Sequence, residues 1–181
     1  EDLHDHGFFN HRATLRDSTT RVPLIIWGAD ATGRSEELAE AIDVVPTLLA
    51  LAGATPPAGL TGRDLLAESA PPEVIFQEGV LGHLSARTLT HRLIFSGFSL
   101  TFPYYDLALE TATVESGHLA LYDLRTDPGE HHNVIAEQPA VAEALRGAML
   151  AWRGGLQQSD FRGQQPDDAA LQEILRSRGY W

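Results

Sequence analysis

The N-terminal string Glu1-Asp2-Leu3-His4-Asp5-His6-Gly7-Phe8-Phe9-Asn10-His11 places three imidazoles and two aspartates within eleven residues. Imidazole is the side chain that gives and takes protons near neutral pH, and it is a common zinc ligand. Acid–base chemistry or a metal cluster of His4, His6 and His11 with Asp2 and Asp5 are therefore the two readings to weigh. The cluster is the weaker one, because the spacing lacks the i, i+4 repeat that puts two imidazoles on one helix face. His131-His132 follows Asp127-Pro128-Gly129-Glu130, a turn sequence, and solvated surface histidines are expected there. Arg21 opens an apolar run and could reach an anion, although a structural pair with Asp17 is the simpler expectation. Phe98, Phe102, Tyr104 and Tyr105 either line a pocket entrance or pack on a sheet, and the sequence leaves both open.

These residues need elements to hold them. Residues 1–20 show no clear periodicity and read as a loop with a short helix near Thr14–Ser18. Val22-Pro23-Leu24-Ile25-Ile26-Trp27 is a continuous apolar run closed by Gly28, the pattern of a strand covered on both faces. Ser35–Ala41 is helix-prone. Asp43-Val44-Val45-Pro46-Thr47-Leu48-Leu49 offers a capping carboxylate, a first-turn proline and an apolar face, with Gly53 to close the helix. Pro56, Pro57, Gly59 and then Pro71-Pro72 break the chain, which places a boundary near residues 67–72.

Beyond it, Glu73–Gln77, Ser85–Leu89, His91–Phe95 and His118–Leu124 are short runs rich in β-branched, aliphatic and aromatic residues, expected to form a small antiparallel sheet. Residues 96–117 have no dependable period and read as a long insertion. After the Asp127-Pro128-Gly129 turn comes a helix with Pro139 near its first turn, whose Val141, Leu145, Ala148, Met149, Trp152 and Leu156 share one face, and a second short helix is expected over Asp168–Ser177. The organisation expected is 1–68 as part of a large α/β domain, 69–160 as a small α+β subdomain and 161–181 as a tail.

Composition narrows the partners. Twenty-five acidic against 13 basic residues give a formal net charge of -12, which opposes attraction to nucleic acid and to anionic lipid. No apolar stretch approaches the roughly 20 residues of a membrane-crossing helix. The absence of cysteine excludes a disulfide framework, a thiolate metal site and a cysteine nucleophile within these residues.

Four segments, in order, resemble the C-terminal half of type I sulfatases of the alkaline phosphatase superfamily. Glu1 to His11 followed by Thr20-Arg21-Val22-Pro23-Leu24-Ile25 is similar to the stretch after the metal-binding Asp-His that runs into an Arg-Val-Pro-Leu-Ile strand. Ile42 to Gly53 with Leu60-Thr61-Gly62-Arg63-Asp64-Leu65 resembles the Asp-x-x-Pro-Thr-Leu-Leu helix and Gly-Arg-Ser-Leu turn. Arg87-Thr88 through Arg92-Leu93-Ile94 is similar to a strand pair usually read Arg-Thr, turn, Lys-Tyr-Ile, with Arg92 standing for the Lys. Leu121 to Glu130 with Asn133-Val134 resembles the Leu-Tyr-Asp-Leu, Asp-Pro-x-Glu and Asn-Leu ending.

The resemblance implies the rear part of an alkaline-phosphatase-like mixed sheet with helices, plus a small C-terminal antiparallel sheet packed with a long helix. It implies hydrolysis of a sulfate ester by a formylglycine, assisted by a divalent cation, usually calcium, with nucleophile and metal ligands upstream of this chain and no metal ligand within it. The partners implied are the N-terminal half of the same sulfatase and a small-molecule or glycan sulfate ester. His11 falls where the family places a Lys or His that approaches the sulfate, and His6 where the pocket wall is shaped. These two are the candidate substrate-binding residues, and His11 the candidate catalytic one. Arg63-Asp64 matches an architectural position. A phosphodiester or phosphonate ester hydrolase of the same superfamily and a noncatalytic binding module remain as alternatives, and the chain alone is expected to be inactive.

Overall fold

The computed structural model describes residues 2–3, 5–6, 9–10, 14–79, 82–97, 100–102, 112–114 and 117–156. The chain forms two compact units, Glu1–Ala151 and Trp152–Trp181. The second is described over residues 152–156, where Leu156 N–H donates to Trp152 O at 3.1 Å.

The first unit opens with a short antiparallel pair, β1 (Asp2–Leu3) with β2 (Phe9–Asn10), where the sequence reads as a plain loop. Helix α1 (Asp17–Thr20) follows. A 3-10 turn, Ala41–Asp43, leads into α2 (Val44–Leu51), and Gly53 closes α2 with a φ of 65° that costs a glycine little. The sheet consists of β3 (Ile75–Glu78), β4 (Leu84–Arg87), β5 (His91–Ser96) and β8 (His118–Asp123), adjacent in that order and antiparallel throughout. Each strand lies within two or three residues of its expected place. Between β5 and β8 a second hairpin, β6 (Leu100–Phe102) with β7 (Ala112–Val114), occupies what reads in sequence as an aperiodic insertion. Helix α3 (Pro139–Gly155) starts at the expected proline.

Register sorts the sheet residues onto two faces. Leu84, Ala86, Leu93 and Leu121 share one, and are essentially inaccessible to solvent. The α3 residues Ala142, Leu145 and Met149, at helical spacing, are buried as well. Ser85, Arg87, Arg92, Ile94 and Tyr122 share the other face. Strands β4, β5 and β8 are thus buried on both sides, which is why they read as runs rather than as alternations.

Three expectations change. Residues 22–27 form no strand; Val22, Leu24, Ile25 and Trp27 stand exposed, Trp27 at 96%. A strand exists only through a neighbour's hydrogen bonds, and among the described residues this run has none. Ser35–Glu40 is not helical either. There the Arg63 guanidinium donates to Leu38 O at 3.1 Å and pairs with Glu37 at 3.1 Å, so a tertiary anchor takes a carbonyl that a helix would use. Finally, the Asp43 carboxylate does not cap α2, because Asp43 already sits in right-handed helical geometry. Its two oxygens accept Glu40 N–H at 2.9 Å and Arg63 N–H at 2.8 Å instead. Thr47 completes the junction: its hydroxyl donates to Asp43 O at 2.7 Å and accepts Leu65 N–H at 3.0 Å. Arg63 thus ties residues 37–43 to the 60–65 turn.

The Asp168–Ser177 helix, and Phe98, Tyr104 and Tyr105, lie outside the described residues. No helix among those described is long and apolar enough to cross a membrane.

Candidate functional site

The polar face of the sheet carries a buried ion cluster that sequence reading did not find. Arg92 on β5 is 1% exposed, and its guanidinium reaches four groups. It donates to Leu15 O and Asp17 Oδ1, donates to Thr20 Oγ1 at 3.0 Å, and sets Nε 3.2 Å from Glu130 Oε1. That last contact is an ion pair without hydrogen-bond alignment, since both atoms are otherwise unpartnered. Arg87 adds a two-pronged grip on Asp17, at 3.1 Å to each oxygen. Arg16 donates to the Tyr122 hydroxyl at 2.8 Å and lies over that ring, 5.4 Å from its centroid. Arg21 pairs loosely with Asp17 at 4.0 Å, the structural role expected of it.

Glu130 is the cluster's other anchor. It is 1% exposed, and with φ 58° it is the one non-glycine residue in the left-handed region among those described. Its Oε2 accepts Asp17 N–H at 2.6 Å. Burial pushes the Glu130 carboxyl above its ordinary value, with the Arg92 charge opposing the rise. Asp17 moves the other way: burial would raise it, but the Arg87 hydrogen bonds and the Arg92 charge outweigh that and hold it low. The two arginines and two carboxylates balance in charge, as burial requires. Their geometric effect is to fix residues 14–20 on the sheet, directly after the candidate His11.

His6 and His131, 125 positions apart, meet as tilted rings with centroids 4.8 Å apart. His131 sits on the turn that Glu130 anchors. Asp127 Oδ2 accepts His132 N–H at 2.8 Å. Partial burial would raise the Asp127 carboxyl, but the main-chain N–H groups of His132 and His131, and their rings, bring it below its ordinary value. Both are exposed, as expected of solvated surface histidines, and His131 in addition lies against His6. His11 and His4 lie outside the described residues.

A hydroxyl, an imidazole and a carboxylate also line up at Thr90, His91 and Asp123, the composition of a nucleophilic triad. Thr90 Oγ1 lies 2.9 Å from His91 Nδ1, but Nε2 faces Gln138 Oε1 at 2.9 Å and Asp123 only at 3.7 Å. Asp123 is taken by the Arg125 guanidinium, at 2.9 and 2.7 Å, which holds its carboxyl far below the usual range. With Nε2–H donated to the amide, Nδ1 accepts the threonine proton and the line is a fixed hydrogen-bond chain. Burial also pushes the His83 imidazole down, and its Nε2 is buried without a partner.

Among the described residues no group of three or more His, Asp or Glu could hold a metal ion. The described side chains therefore do not fit a divalent-cation site.

Comparison with known proteins follows the same lines. The family model described as N-sulphoglucosamine sulphohydrolase, C-terminal, matches residues 4–152. The sulfatase YidJ of Escherichia coli K12 is 31% identical over 135 residues, covering 72% of this chain and 25% of that protein. Human arylsulfatase A is 32% identical over 162 residues, covering 77% of this chain and 32% of that protein. A solved structure from Bacteroides thetaiotaomicron, described with the metabolism of multiple glycosaminoglycans, is 21% identical and covers 62% of this chain and 24% of that one, with TM-score 0.48. The chain thus spans 25% and 32% of the length of the two curated relatives. A family match over residues 4–152 takes in His6, the ion cluster, the four-stranded sheet and most of α3, and by it the chain belongs to the N-sulphoglucosamine sulphohydrolase C-terminal family, as a C-terminal portion of a sulfatase.

Proposed function

We propose that this chain is the rear of a sulfuric ester hydrolase whose nucleophile, a formylglycine, and whose cation, calcium, are supplied by residues outside it. The observation that carries the reading is the family match over residues 4–152, joined to a surface that lacks a cover. Val22, Leu24, Ile25 and Trp27 are exposed, and so is a stripe at spacing three on the first turn and helix of the 41–51 segment: Ile42, Val45, Leu48 and Leu51. Apolar groups at this density mark an interface. On this reading residues 1–68 belong to the large α/β domain, with the exposed 22–27 run part of the face it packs against. Residues 69–160 form the small subdomain and 161–181 the tail.

In this arrangement His11 presents an N–H to the sulfate, stabilising the charge that develops on the transferred group or protonating the leaving oxygen, and His6 shapes the pocket wall. Substrates are small-molecule or glycan sulfate esters. The test is hydrolysis of 4-nitrocatechol sulfate with calcium present. The full-length protein should turn it over, the isolated chain should not, and His11→Ala in the full-length protein should lower turnover by about a hundredfold. Turnover of a phosphodiester in place of the sulfate would move the protein to the neighbouring branch of the superfamily. An unchanged rate in the variant would remove His11 from the site.

A further inference from the structure

We propose that His131 is a specificity residue of the same site: with His6 it binds hydroxyl groups on the alcohol portion of a carbohydrate sulfate. The inference rests on the sulfatase reading, and it goes beyond that reading in assigning a role to a residue on the far side of the sequence. Three observations support it. The first is proximity, since the His131 ring lies against that of His6 at 4.8 Å.

The second is how firmly the turn bearing His131 is held. Glu130, immediately before it, carries φ 58° in a left-handed conformation that a glutamate adopts only when its surroundings over-determine it. The surroundings do so here. Its buried carboxylate takes Asp17 N–H at 2.6 Å and the Arg92 charge at 3.2 Å. On the other side Asp127 accepts the main-chain N–H of His132 at 2.8 Å. A Cβ on Gly129 would come within 2.7 Å of the His131 ring, so glycine is what leaves that ring its present position. Yet His131 itself is exposed. A turn anchored by the buried Glu130 exposes both His131 and His132 and sets the first against His6; so held, His131 has the character of a preorganised contact, because a ligand meeting it need not order it.

The third is charge. Asp127 lies beside His131, Asp5 is the sequence neighbour of His6, and the chain as a whole carries -12. A second anionic group would be repelled there, whereas a neutral hydroxyl accepts from an imidazole N–H, or donates to an unprotonated ring nitrogen, without that cost. A sulfated sugar offers such hydroxyls next to its ester and an aryl sulfate such as 4-nitrophenyl sulfate does not. The contact therefore discriminates between them through the alcohol and leaves the sulfur chemistry alone.

The experiment compares the full-length enzyme with His131→Ala and Gly129→Ala on a panel of hexose and hexosamine monosulfates and on 4-nitrophenyl sulfate. Loss of one or two such hydrogen bonds should raise KM for the preferred sugar sulfate roughly tenfold, with kcat for the aryl ester unchanged. Gly129→Ala, which moves the ring while keeping it, should shift KM in the same direction. Thermal unfolding of His131→Ala should match the parent, since the ring is exposed. An unchanged KM for every sugar, or an equal change for sugar and aryl esters, would overturn the inference while leaving the sulfatase reading intact. A parent enzyme that hydrolyses no member of either class would overturn both.

Discussion

Replacing Arg92 with methionine tests the ion cluster directly. The substitution keeps most of the buried volume and removes a guanidinium that contacts Leu15 O, Asp17, Thr20 and Glu130 together. The two carboxylates left behind are not equivalent. Asp17 keeps both Arg87 contacts at 3.1 Å, so it stays paired. Glu130, 1% exposed, keeps Asp17 N–H as its hydrogen bond but loses the cation nearest to it. Removing one partner of a buried pair costs about 3–5 kcal/mol, most of it from the charge left uncompensated. Because one carboxylate of the two remains paired, the lower end, about 3 kcal/mol, applies. Equilibrium urea unfolding of the full-length protein measures it. Adding Glu130→Gln to Arg92→Met removes the stranded charge, and the double variant should recover about 1–2 kcal/mol of the loss, a coupling that only contacting residues show. Arg92→Lys should fall between, since one ammonium cannot reach four partners set around a planar fork. If Arg92→Met costs less than about 1 kcal/mol, or Glu130→Gln adds its own loss to it, the cluster does not hold residues 14–20 in the way its distances indicate.

Glu130 and Asp17 should also shape stability against pH in opposite windows. The folded-state value of Glu130 is raised, so its contribution is fully present below the ordinary value of 4.5 and is lost as pH rises through the folded value; Glu130→Gln should flatten that arm of the profile. Asp17 is held low, so its contribution is present above 3.8 and disappears as pH falls through the folded value; Asp17→Asn should remove the acid arm, read by thermal unfolding across pH. Gly62→Ala should destabilise by about 1–3 kcal/mol, because the added carbon would sit 2.9 Å from Asp43 N and closer still to Ile42 O, main-chain atoms that cannot swing aside. A silent Gly62→Ala in the same unfolding assay would mean that the 60–65 turn does not dock on the start of α2.

What could be read before folding was whatever repeats locally. The four sheet strands carry short aliphatic runs between turn residues, and α3 carries a proline start and a stripe at helical spacing; each was found within two or three residues. The Arg21–Asp17 pair was legible because its partners lie one helical turn apart. Family membership was legible because motifs keep their order along the chain, and the same motifs singled out Arg63, whose contacts are with Leu38 and Asp43.

Tertiary structure alone decided the rest. Asp17, Arg87, Arg92 and Glu130 come from four separate stretches, and no local period links them; only the β4–β5 register and the approach of residues 14–20 bring their charges together. The same holds for His6 and His131, each unremarkable in its own segment until the Glu130 turn sets one against the other. The run at 22–27 shows the converse. Its residues specify an apolar extended segment, but a strand is a relation between two segments, and composition cannot supply the neighbour whose amides and carbonyls would complete it.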